Sequence, residues 1–141
     1  MRRPQVRPAW RWLAVVLWMG AIFYVSAQPD LPHHPGATAD AILKKTAHMV
    51  EYGILAGLLY WAWGGDVRTQ KDRAILAAWA VAALYAVSDE LHQGFVPGRD
   101  SQSLDVAFDL VGATLALLVV RRLFPPGENP PCLLYTSPSP R

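Results

Sequence analysis

Four stretches of mostly apolar residues, each close to the roughly 20 residues an α-helix needs to cross about 30 Å of hydrocarbon, constrain this chain more than any other feature. They run from about Trp10 to Ala27, Thr46 to Gly64, Arg73 to Gln93 and Leu104 to Phe124. Runs such as Ala74-Ile75-Leu76-Ala77-Ala78-Trp79-Ala80-Val81 lack the period-two alternation of a barrel strand. The pattern predicts an all-α, polytopic transmembrane bundle of about four helices. Trp10, Trp12, Trp61 and Trp63 fall near segment ends, where indole rings favour the headgroup zone. The gaps are also legible: Pro29, Pro32 and Pro35 mark a loop, Gly64-Gly65-Asp66 with Arg68, Lys71 and Arg73 a charged turn, and Pro97-Gly98 a third. Pro125-Pro126 stops the last helix.

Composition fits that reading. The 141 residues allow one domain, and 17% charged residues against 52% hydrophobic is low beside the roughly 25% charged of soluble domains. Mean hydropathy is only +0.17 because a polar, proline-rich C-terminus dilutes the apolar segments. The net charge of +2 carries no nucleic-acid footprint, since the arginines cluster beside the apolar segments. Cys132 is the only cysteine and lies outside those segments. It can form no intramolecular disulfide and supports neither a cysteine metal site nor thiol catalysis.

Basic residues set the expected orientation. Arg2, Arg3, Arg7 and Arg11 precede the first segment, Arg68, Lys71 and Arg73 fill the second turn, and Arg121-Arg122 end the fourth segment. All three groups belong inside, so both termini are expected in the cytoplasm. The first segment also reads as a secretory signal peptide ending at Val25-Ser26-Ala27, although its length and bulky Trp18, Phe23 and Tyr24 favour a retained helix. Residues 1–124 are expected to form the helical domain. Residues 125–141 read as a disordered tail or as translated read-through of non-native sequence.

The polar residues of the segments gather at one depth. Lys45, His48 and Tyr52 share a face of the second helix. Asp89, His92 and Gln93 share a face at the end of the third, with Glu90 turned about 100° away. Asp105, Asp109, Gly112 and Ala116 form one stripe on the fourth. Under the predicted topology all three clusters meet near the extracytoplasmic surface, joined by the loop that carries Arg99. Ionisable residues inside membrane segments usually face the bundle interior or an aqueous cavity. Each also has a plainer reading: Ser103 and Asp105 as helix-start residues, Gly112 and Ala116 as small packing residues, and the rest as a structural ion-pair network. Asp89 and Glu90 are adjacent carboxylates at the wrong end of a helix dipole, so compensation by Arg99, Lys45, His48 or a bound cation is expected. No HExxH, GxSxG, Walker or GxGxxG pattern is present, and neither a metal site nor a cofactor is expected. His48, Glu90 and His92 are candidates for acid–base chemistry on an anionic substrate held by Lys45 and Arg99.

Lys45-Thr46-Ala47-His48 with Tyr52 and Leu55, then Ser88-Asp89-Glu90-Leu91-His92-Gln93, Phe95-Val96-Pro97-Gly98-Arg99, Ser103, Asp105 and Gly112-Ala113 resemble the VanZ-like family from about Trp10 to Leu123. The resemblance implies a bacterial, multi-pass protein of the cytoplasmic (inner) membrane, in a family named for a member associated with low-level resistance to the glycopeptide teicoplanin, many members of which have no link to resistance, and with no established biochemical activity. Asp109 and Ala116 stand where the family often has asparagine and glycine, and Asp109 adds a charge to the site that the resemblance does not account for. The resulting expectation is a cell-envelope protein whose outer pocket binds an anionic lipid headgroup or cell-wall precursor. Its ligand-binding residues would be Lys45, His48, Tyr52, Asp89, Glu90, His92, Gln93, Arg99, Asp105 and Asp109. The alternatives are a membrane-embedded enzyme acting on a lipid-linked or phosphorylated substrate, and an ion-coupled transport module, which would require an oligomer. Membrane lipid is the expected partner; nucleic acid is not.

Overall fold

The computed structural model describes residues 9–28, 37–64, 71–99 and 103–123. They form four α-helices: α1 (Trp10–Ser26), α2 (Ala37–Ala62), α3 (Lys71–Gln93) and α4 (Ser103–Leu123). The reading of residues 125–141 as a separate tail lies outside the described residues.

Three of these helices match the apolar segments closely, and the fourth does not. α2 begins at Ala37 rather than near Thr46. Asp40, Lys44 and Lys45 made that first stretch too polar to count as a membrane segment. It nevertheless lacks proline and glycine and is built of Ala, Ile, Leu and Lys, mostly strong helix formers. Its 26 residues reach about 39 Å, further than the hydrocarbon requires. Asp105 in the first turn of α4 and Arg121 and Arg122 in its last complement the helix dipole. Gly64 and Gly98 adopt φ of 75° and 80°, a backbone region that favours glycine where the chain reverses.

α2 is the central helix, packed against each of the other three, whereas α1 and α4 do not meet. α4 comes closest to it. A methyl group on Gly112 would overlap the Met49 backbone carbonyl, and one on Gly53 would stand 3.3 Å from the Gly112 oxygen. On α3 the packing face is a stripe of Ala74, Ala78, Ala82 and Ala86, small enough to let neighbouring backbones approach. Val15 and Ile22 of α1 and Leu55 and Leu59 of α2 complete the apolar core, with Leu117 of α4. Side-chain hydrogen bonds clasp the helices together: Trp18 Nε1 to the Glu51 carbonyl (2.9 Å), Tyr85 Oη to the Met19 carbonyl (2.7 Å) and Trp79 Nε1 to Thr114 Oγ1 (3.0 Å).

The surface is inverted relative to a soluble domain. Leu17, Leu76, Leu84, Leu91, Leu115 and Leu118 lie on the outside, while Ser26, His48, Asp89, Glu90, Gln93 and Asp109 are buried. By length and composition α3 and α4 are each able to cross a membrane, and α1 is a shorter apolar helix of 17 residues.

Candidate functional site

The C-terminal ends of α1 and α3, the first half of α2 and the start of α4 meet at one end of the bundle. Asp89 is the anchor there. Ser26, the last residue of α1, donates to Asp89 Oδ2 at 2.7 Å, and Gln93 Nε2, one turn further along α3, donates to the same oxygen at 3.0 Å. Ser26 is 1% exposed, so this bond has no competition from solvent. Its loss in Ser26→Ala leaves a buried carboxylate one donor short. That substitution is expected to lower stability by about 1.5–3 kcal/mol in reversible unfolding in detergent, with Ser26→Thr recovering most of it. An unchanged stability would show that Asp89 does not depend on α1.

After α3 the turn through Gly98 brings Arg99 back over this end. Its Nε donates to Gln93 Oε1 at 3.0 Å. Its Nη1 reaches the carbonyls of Ser26 (2.8 Å), Gln28 (3.0 Å) and Val25 (3.3 Å). Those carbonyls close the C-terminus of α1, where unpaired acceptors and the negative end of the helix dipole favour a cation. Arg99 Nη2 lies 3.3 Å from His48 Nε2. A guanidinium can only donate, so His48 Nε2 accepts and the imidazole carries its proton on Nδ1. Nδ1 in turn faces Asp109 Oδ1 of α4 at 3.5 Å. One arginine thus links α1, α2 and α3, and through His48 it links α4.

The remaining candidates divide into two groups. Tyr52 is fully buried and lies in electrostatic reach of Asp89 and Asp109. Lys45 and Asp105 pair at 2.9 Å at the half-exposed rim, with the ammonium 4.7 Å from the centre of the Phe108 ring. His92 and Glu90 stand apart. The His92 ring stacks on Phe23 of α1, centroids 4.2 Å apart, and Glu90 is buried with Oε1 unpartnered. The expected compensation of the adjacent carboxylates by Arg99 takes a different form. Asp89 is held by the neutral donors Ser26 and Gln93, and Arg99 turns to the α1 carbonyls because an open helix end lies nearer than Glu90.

Two contributors escaped the sequence reading. Ser26 looked like part of a cleavage site, and no residue pattern connects it with Asp89. Glu51 lies in electrostatic reach of His48, Asp109 and Asp89, and its position three residues after His48 in an apolar segment was a usable signal. Among the described residues no three of the His, Cys, Asp and Glu side chains are grouped so as to hold a metal ion. Compared with known families, residues 11–124 match a model described as VanZ/LLP1. No curated protein and no solved structure matches the chain.

Proposed function

The chain belongs to the VanZ/LLP1 family, and on that premise we propose that it is a multi-pass protein of the bacterial cytoplasmic membrane, with both termini inside, that binds a polar headgroup at the outer end of its bundle. The observation that carries this reading is the inverted surface: apolar side chains point outward along the helices while the buried polar ones collect at one end. In lipid such an arrangement is stable, because the outward leucines meet hydrocarbon and the charged groups meet one another. The basic residues before α1, between α2 and α3 and at the end of α4 support an orientation with the polar end outside.

At that end Lys45 and Arg99 are the groups suited to an anionic lipid headgroup or a cell-wall precursor. Lys45 is half-exposed, and Asp105 takes one of the three donors an ammonium offers. A link to glycopeptide response, implied by the family resemblance, would act through this same end, where wall precursors are presented. Acid–base catalysis gains no support, since the lone pair of His48 is already occupied by Arg99.

Native mass spectrometry of the protein in mild detergent tests the binding reading. Anionic lipid is expected to remain on the wild type and to be depleted in Lys45→Gln, which removes a half-exposed charge without opening the core. An identical lipid complement in both proteins would contradict a headgroup site at Lys45.

A further inference from the structure

At the end of the bundle opposite the polar site, one sign of charge dominates. Residues 1–11, 64–73 and 121–124, which flank this end in the sequence, hold nine Lys or Arg against two Asp, and residues 125–141 add one charged side chain of each sign. Arg73 in the first turn of α3 and Arg121 and Arg122 in the last turn of α4 are exposed. Arg121 has the Asp72 carboxylate at 4.0 Å, with the two side chains 60% and 79% exposed, a contact that water and salt weaken. Arg122 also ends an apolar stripe. Val111, Leu115, Leu118 and Arg122 recur at i, i+4, i+7 and i+11, so they share one face of α4, and the bundle leaves that face exposed. The face is not flat: Leu110, Val111, Thr114 and Leu115 line an open notch of about 210 Å³, where Thr114 is tied to Trp79 of α3. Leu115 lies roughly 10 Å along the helix axis from Arg122. That is less than the roughly 15 Å of hydrocarbon in one leaflet.

We propose that this face of α4 seats a phospholipid with a net negative headgroup, its phosphate on Arg122 and Arg121 and one acyl chain laid past Leu118 into the notch. Guanidinium forks match phosphate oxygens in pairs. Each basic residue beside a membrane surface raises the affinity for anionic lipid by about fivefold. The notch gives the chain a concave seat that a free anion would leave empty. A second copy of α4 is the competing occupant, and charge disfavours it. Pairing the stripe with itself across a two-fold axis would bring the Arg122 side chains of both copies together. The site rests on the membrane reading above but not on Lys45, which lies at the other end of the bundle.

The test places the full chain in phosphatidylcholine nanodiscs with a trace of photoreactive lipid, a diazirine in the acyl chain of either phosphatidylglycerol or phosphatidylcholine. Irradiation and peptide mapping then locate the label. The phosphatidylglycerol probe is expected to label residues 110–118 about fivefold or more above the phosphatidylcholine probe. Arg122→Gln is expected to cut that label about fivefold, and Arg121→Gln with Arg122→Gln to bring it to the phosphatidylcholine level. Both arginines are exposed, so these changes leave the core intact. Lys45→Gln is expected to leave the α4 label unchanged, which separates this site from the headgroup reading at Lys45. Equal labelling of α4 by the two probes in the wild type would overturn the proposal. A label lost in Lys45→Gln and kept in Arg122→Gln would overturn it too. Cross-linked pairs of α4 in place of lipid label would assign the face to a second copy and overturn it as well.

Discussion

Gly112→Ala is expected to be among the most damaging single-methyl additions in this protein, lowering stability by about 3 kcal/mol or more. Helix propensity alone would favour alanine by about 1 kcal/mol, so the predicted sign is opposite to the intrinsic one. The reason is geometric. The new Cβ would sit 2.7 Å from Met49 Cα and 2.6 Å from its carbonyl carbon, so it meets backbone rather than a flexible side-chain end. Only a separation of α2 from α4 relieves that overlap. Separation would also pull Asp109, one turn before Gly112, away from His48, the residue before Met49. Gly20→Ala and Gly57→Ala provide the contrast, since a Cβ at either position meets nothing within 4 Å. Both are expected to be neutral or to stabilise by up to about 1 kcal/mol. Unfolding curves of the three variants in one detergent check the prediction, and equal behaviour at the three glycines would show that α2 and α4 are not in close contact.

Arg99→Ala is expected to have a comparable effect, on the order of 3 kcal/mol, because one side chain serves the α1 terminus, Gln93 and His48 together. Lysine is not expected to rescue it, as a single ammonium cannot span partners arranged around a planar fork. The coupling pattern is the more specific result. Arg99→Ala combined with Gln93→Ala should depart from additivity by about 0.5–3 kcal/mol, because each removes the other's partner. Arg99→Ala combined with Glu90→Gln should be near-additive. A double-mutant cycle showing strong Arg99–Glu90 coupling and none with Gln93 would contradict the geometry of this end.

Much of the architecture was legible in residue order, because apolar runs of helix length are set apart by prolines and glycines that mark the gaps. α3 and α4 were located within about two residues at each end, the usual uncertainty of helix boundaries. The early start of α2 was not, since polarity hides a helix that membrane length does not require. The grouping of His48 with Tyr52, of Asp89 with Gln93, and of Asp105 with Asp109 followed from helical spacing. Partner choice within the group did not. Whether Arg99 meets a carboxylate or a helix terminus depends on how the turn at Gly98 folds back, a tertiary fact with no local signature. The same holds for Ser26, whose importance arises only when the ends of α1 and α3 come together. His92 shares its helical face with Asp89 in a projection, yet a stacked Phe23 turns its ring toward α1.

The proposed orientation puts the polar end of the bundle outside the cell. Phe95 lies on the turn beside Arg99 and is 85% exposed, and Arg122 is exposed at the opposite end of α4. With Cys132 replaced by serine, single cysteines at these two positions can be challenged on intact cells with a membrane-impermeant thiol reagent. Phe95→Cys is predicted to react at once and Arg122→Cys only after permeabilisation. The reverse pattern would place Asp89, His48 and Arg99 at the cytoplasmic side and contradict the account.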